Sequence, residues 1–151
     1  MNELRQIIIM SNNKIQSILL LFISLCFMNF TQVDTRHVGT WSQTENGVTN
    51  SFILQENGFA TMIIEGDTFG GETFKLDGEE YSMKYGVLYT KNPYYITFTM
   101  YFKNSNIRVR SLKGIFKYDD NGNMVLCVNF NEGARPTTFI EEDTVTLTKS
   151  K

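Results

Sequence analysis

The feature that most constrains this sequence is a two-residue alternation of apolar and polar side chains. Over residues 81–89 every odd position is apolar or aromatic, and over 94–102 the even positions form the apolar face. A strand places successive side chains on opposite faces, so this period predicts strands that bury one face. No segment after residue 33 keeps a helical i, i+3, i+4 stripe over three turns. The chain is therefore predicted to be all-β.

Turn signals separate the alternating runs at short intervals. Asn46-Gly47, Asn57-Gly58, Asp77-Gly78 and Asn121-Gly122 each lie between two runs, and such pairs suit tight hairpins because both residues tolerate positive φ. Strands are predicted near residues 38–45, 49–56, 59–65, 72–76, 79–90, 94–103, 107–118, 123–130 and 143–149. Closure of a meander of this length is favourable, since it pairs the backbone groups of the edge strands, which would otherwise be exposed. We expect one antiparallel up-and-down barrel of about eight to nine strands; an immunoglobulin-like sandwich is the alternative, and it needs longer crossing connections.

The first 32 residues differ from the rest of the sequence. Arg5 and Lys14 precede an apolar run over residues 18–28, after which the chain turns polar. A basic leader followed by a short apolar run is typical of a secretory signal peptide, and the run is too short to favour a membrane-spanning helix. We expect residues 1–32 to be a signal peptide helix, residues 33–151 to form the barrel domain, and the protein to be exported to the periplasm, cell envelope or extracellular space. A lipid on Cys26 is the alternative membrane attachment, but the large Leu25 before it does not suit a lipoprotein signal.

Charge and cysteine content narrow the range of partners. The whole chain carries a formal net charge of −2, and removal of residues 1–32 leaves 12 basic and 15 acidic residues. Nucleic acid requires a basic surface, so this mild acidity argues against it as a partner. Cys127 is the only cysteine after residue 32, which excludes an internal disulfide and leaves stability to the hydrophobic core.

Several short blocks resemble a known family. Gly39-Thr40-Trp41 resembles the Gly-x-Trp start of lipocalins and their smaller bacterial relatives. The ordered blocks 93–96, 114–118, 126–128 and 135–139, the last reading Arg-Pro-Thr-Thr-Phe, are similar to an uncharacterised bacterial family, abundant in planctomycetes, with the same small lipocalin-like barrel. The resemblance implies that Trp41, introduced by Gly39, closes one end of the barrel and that Arg135 stacks on the Trp41 ring. It implies a fold and no established activity.

No arrangement of residues indicates catalysis. His37 is the only histidine, and it lies in what is predicted to be a frayed lead-in to the first strand. Zinc sites need three or four His or Cys ligands, and triads need a base held by a third group. Neighbouring carboxylates such as those of Glu79-Glu80 point to opposite faces of a strand instead of across a cleft. We expect no enzyme activity, no metal and no cofactor.

Two functions remain open from the sequence. The first is binding of a small hydrophobic ligand inside the barrel, by an aromatic and methionine lining comprising Tyr81, Met83, Tyr85, Tyr89, Phe98, Met100 and Phe102. The second is a cell-envelope interaction or structural module with a filled core. In that case the outward-pointing Leu88, Tyr95 and Tyr101 contribute to an exposed apolar patch.

Overall fold

The computed structural model describes residues 34–131 and 133–150. The predicted signal peptide and Cys26 lie outside the described residues. Within them, no helix has the length and hydropathy that a membrane span requires.

The described chain is a succession of short antiparallel strands with one turn of 3₁₀ helix. The helical turn, Glu141–Asp143, directly precedes the last strand. The strands are β1 (Gly39–Glu45), β2 (Val48–Leu54), β3 (Ala60–Ile64), β4 (Asp67–Gly70), β5 (Phe74–Leu76), β6 (Glu79–Leu88), β7 (Tyr94–Phe102), β8 (Arg108–Tyr118), β9 (Met124–Asn129) and β10 (Thr144–Lys149).

All ten strands form one up-and-down antiparallel sheet that curls into a nearly closed barrel. The order is β4-β3-β2-β1-β10-β9-β8-β7-β6-β5, so each strand pairs with its sequence neighbours, except that β1 meets β10 and β4 does not pair with β5. Two backbone bonds join the margins, from the Tyr85 N–H to the Gly58 carbonyl and from the Met83 N–H to the Gly71 carbonyl, both 2.9 Å. The predicted all-β meander is therefore confirmed, while the predicted closure is nearly complete, since β4 and β5 do not pair.

The prediction of eight to nine strands was wrong, because the described part of the chain has ten and the short strand β4 was not predicted. Residues 59–65 were expected to form one strand followed by a loop, whereas the chain reverses at Glu65 and Gly66 and pairs β4 with β3. Both turn residues have positive φ, 54° and 92°, as a two-residue hairpin requires. A Glu-Gly pair is a weaker turn signal than Asn-Gly or Asp-Gly because Glu rarely adopts positive φ.

Alternation sorts most large apolar side chains into the barrel, as predicted. Phe52 and Phe98 meet across the middle with ring centroids 6.0 Å apart, among further buried apolar side chains that include Leu54, Met62, Ile96, Phe116, Leu126 and Val128. Among residues 34–131 and 133–150 the structure contains no long helix and no second sheet, so the lumen holds nearly all of the apolar core of this part of the chain.

The outer face of β7, β8 and β9 carries a second, smaller buried patch. Ile115 and Cys127 pair across β8 and β9 and are 0% exposed, although alternation points them away from the lumen. The segment between β9 and β10 lies over this face, where the Phe139 ring meets the Lys117 ammonium at 5.1 Å. The long connection is therefore packed as a cover.

Arg135 fastens that cover to the barrel. Its guanidinium donates hydrogen bonds to the Ile96 carbonyl at 2.6 Å, to the Gly114 carbonyl and to Thr97 Oγ1 at 2.8 Å. The same group lies 4.3 Å from the centroid of the Tyr95 ring. The expected contact between Arg135 and Trp41 is thus corrected: Arg135 is on the outer face of β7 and β8, whereas Trp41 is inside the barrel.

Candidate functional site

The two ends of the barrel are built differently. We call the end where β1, β7 and β9 begin the closed end, and the end where these strands finish the open end. Rings and the lead-in to β1 fill the closed end. At the open end the lumen widens between hairpin turns.

Trp41 is the centre of the closed end. Its indole is 2% exposed, lies 5.9 Å from the Tyr118 ring, and donates a hydrogen bond from Nε1 to the His37 carbonyl at 2.7 Å. The Lys149 ammonium lies 5.2 Å from the indole centroid, in the position where the family resemblance implies Arg135. Gly39 makes room for this lysine, because a Cβ there would lie 2.7 Å from Lys149 Cε.

His37 belongs to the closed end as well. It was expected in a frayed lead-in but is only 9% exposed, with Nδ1 hydrogen-bonded to the Tyr89 hydroxyl at 3.0 Å and its ring edge-on to Tyr85. Burial lowers the pKa of His37 below its usual 6.5, partly offset by the Asp34 carboxylate and reinforced by the Lys149 cation. Burial likewise raises the pKa of Tyr118. Both groups are neutral at pH 7, as a packed plug requires.

The open end contains the larger apolar recess of the lumen. It has a volume of about 270 Å³ and opens to solvent between the turns. Met83 and Met100 line it on one side and Ile64 on the other, and thioether side chains adapt their shape readily to a guest. The full lining is Met62, Ile64, Phe69, Phe74, Leu76, Met83, Phe98, Met100, Arg110, Leu112 and Phe130, of which Arg110 is the one charged member.

A second recess adjoins the first at the same end. Its volume is about 170 Å³, and it is lined by Gln43, Asn50, Phe52, Ile64, Leu126, Val128, Phe130, Asp143, Val145 and Leu147. Ile64 and Phe130 line both recesses. These two side chains are therefore the partition between two halves of one lumen, and the contact between Phe52 and Phe98 lies between the same two halves.

The rim of the open end carries several exposed apolar side chains. Val48, Leu76, Ile107 and Phe130 all lie in or beside turns at this end and are between 37% and 61% exposed. The backbone of Phe130 is held by a hydrogen bond from the Arg110 guanidinium to its carbonyl. Exposed apolar residues grouped around a recess are typical of ligand-binding grooves.

The seven predicted lining residues divide between three places. Met83, Phe98 and Met100 line the first recess. Tyr85 and Tyr89 belong to the closed end, where they contact His37. The remaining two form a ring stack beside the recess, with 5.1 Å between the centroids of Tyr81 and Phe102.

Sequence reasoning missed most of the opposite wall of this recess. Met62 and Leu112 follow the same alternation in their own strands and carried a usable signal. Phe69 belongs to the strand that was not predicted, and Phe130 comes after β9 in the connection to β10. Only the curling of the sheet brings these four side chains together.

The described part of the chain holds no cluster of three or more His, Cys, Asp or Glu side chains that suits a metal ion. Comparison of the chain with protein-family models, with curated proteins and with solved structures gave no match.

Proposed function

We propose that this protein is an exported, lipocalin-like barrel that binds a small apolar molecule at its open end. The observation that carries the proposal is the recess of about 270 Å³, whose lining is apolar except for one arginine. A barrel with a purely structural role would be expected to fill this space with side chains, since every unfilled methylene-sized void lowers stability.

The contrast with the closed end supports a binding role. A chain that fills one end of its lumen with Trp41, Tyr118 and Phe116 has side chains large enough to fill the other end too. The recess is instead left open between phenylalanines and three methionines, Met62, Met83 and Met100, and flexible thioether side chains suit a guest of variable shape.

Export is part of the proposal and rests on the basic and apolar pattern of residues 1–32. Native mass spectrometry of the protein purified from its own host tests it directly. A mass short of the full chain by the first 29 to 33 residues supports export, and an added mass that dissociates on denaturation identifies a retained ligand. An unprocessed chain contradicts the export step.

Binding is tested with N-phenyl-1-naphthylamine, an uncharged probe that fluoresces in apolar surroundings. Met100→Trp places a larger side chain in the recess from a strand position that is not fully buried, and we expect it to weaken probe binding by about tenfold or more, or about 1.4 kcal/mol. Leu88→Trp is the matched control, since Leu88 is exposed at the closed end and should leave binding unchanged.

Two results would contradict ligand binding at this site. One is an absence of probe binding by the unmodified protein, which favours the filled interaction module. The other is equal loss of binding in both tryptophan variants, which places the probe elsewhere. The alternative function, an interaction module, requires an exposed apolar patch that includes Leu88 and Tyr95. These two residues are neighbours across β6 and β7, but the Arg135 guanidinium covers the Tyr95 ring, so the patch is small.

A further inference from the structure

We infer that the two recesses form one divided site, and that its ligand is a single-chain amphiphile with an uncharged polar end. The inference rests on the proposed function and specifies the ligand class for the same end of the barrel. The apolar chain occupies the first recess, passes between Ile64 and Phe130, and places its polar end in the second.

Size favours a joined site. Pockets for small organic ligands usually have volumes of about 300 Å³ or more, and the recesses have about 270 and 170 Å³. Neither reaches that range alone, whereas together they do. A molecule too large for the first recess therefore has to extend into the second to bury most of its surface.

The partition is of a kind that can yield. Phe130 is 43% exposed and follows the last residue of β9, so no strand pairing fixes its side chain against a neighbour. Rotation of its ring toward solvent removes one side of the partition without breaking a ladder hydrogen bond. Ile64, the other side, is the last residue of β3 and is half-buried.

The side chains that line the two recesses indicate which recess receives the polar end of the ligand. Arg110 is the one polar side chain of the first recess, and it is exposed at the rim. The second recess includes the amides of Gln43 and Asn50 and the carboxylate of Asp143. Amides donate and accept hydrogen bonds and so suit a hydroxyl or amide end, while a nearby carboxylate disfavours an anion.

The test is displacement of N-phenyl-1-naphthylamine by n-alkanols of increasing length, from hexanol to tetradecanol. Each buried methylene should tighten binding about fourfold, and in the unmodified protein this gain should continue beyond the length that fills the first recess. Gln43→Trp fills the second recess from its rim, so the gain should stop at a shorter chain than in the unmodified protein. Thr44→Trp, which points outward from the next position of β1, is the control and should behave as the unmodified protein.

Each outcome decides one part. If affinity stops rising at the same length in the unmodified protein and in Gln43→Trp, the joined site is wrong while the proposed function stands. If n-alkanoates bind as tightly as alkanols of equal length, the uncharged end is wrong. If neither probe nor alkanols bind the unmodified protein, the proposed function itself has failed.

Discussion

The two ends of this barrel are made from the same ten strands and the same alternation, yet one is filled and the other is not. At the closed end, Trp41 has a hydrogen-bond partner for its one polar atom and a cation over its ring. At the open end, Phe130 and Leu76 remain partly exposed around a recess. The difference shows that the same alternation can produce a packed, hydrogen-bonded end and an end with exposed apolar surface, and the second is where we propose that a ligand binds.

The closed end owes its order to residues that precede the first strand. Asp34 and Arg36 form an ion pair at 2.6 Å, and the Arg36 guanidinium lies 4.9 Å from the centroid of the Tyr118 ring. The backbone carbonyl of Arg36 accepts a hydrogen bond from the Lys149 ammonium at 2.9 Å. The lead-in thereby joins the start of β1 to the end of β10. No comparable segment covers the open end in the part of the chain described by the structure.

The largest effect is expected from Trp41→Ala. Loss of this fully buried ring should lower the free energy of unfolding by about 3–5 kcal/mol, measured by urea denaturation followed by circular dichroism. Trp41→Phe keeps most of the packing and leaves the His37 carbonyl without its donor, which should cost about 1–3 kcal/mol. Val48→Ala, at an exposed hairpin of the open end, should change the free energy of unfolding by less than about 0.5 kcal/mol.

The separation of the two ends fails if Trp41→Phe weakens probe binding as much as Met100→Trp does. We expect its dissociation constant for N-phenyl-1-naphthylamine to match that of the unmodified protein, because the recess lies at the other end of the lumen.

An intermediate effect is expected from Arg135→Ala. The guanidinium fastens the connection that carries Phe130 and Asp143, so its loss should lower the free energy of unfolding by about 1.5–3 kcal/mol and weaken probe binding as well. Arg135→Lys restores charge without the fork that reaches several acceptors, and should recover only part of both. A loss of stability with unchanged binding would show that the open end does not depend on this cover.

The smallest effect is a change in pH dependence from His37→Gln, which keeps a hydrogen-bonding group beside Tyr89. The folded-state pKa of His37 is below 6.5, so the unfolded chain takes up its proton first as the pH falls. Stability from the neutral imidazole is thus complete above about pH 6.5 and is lost below it, down to the folded pKa. Asp34 and Asp119 are carboxylates with lowered pKa. Their contribution to stability is lost only when the pH falls to about their ordinary pKa of 3.8 and below it.

Melting temperatures between about pH 7 and about pH 5 therefore isolate the histidine. The unmodified protein should lose stability over this interval and His37→Gln should lose less. Equal slopes in the two proteins would mean that His37 is not desolvated at the closed end.

Much of the barrel was predictable because strands and hairpins are local features. A period of two over residues 81–102 specifies which side chains share a face, and Asn46-Gly47 and Asp77-Gly78 both adopt the positive φ values expected of tight turns. The Glu65-Gly66 reversal was missed because its local signal is weak.

What the sequence by itself determined is the inward face of the strands that alternate clearly, such as β6 and β7, and the up-and-down order, since both follow from neighbouring residues. Only the tertiary structure decided which inward residues share an end: Tyr85 is beside His37, while Met83, two positions earlier, lines the recess. It also assigned Lys149 to Trp41 and Arg135 to Tyr95. These pairings depend on strand register and curvature, which arise from contacts between residues far apart in the chain and leave no periodic trace in it.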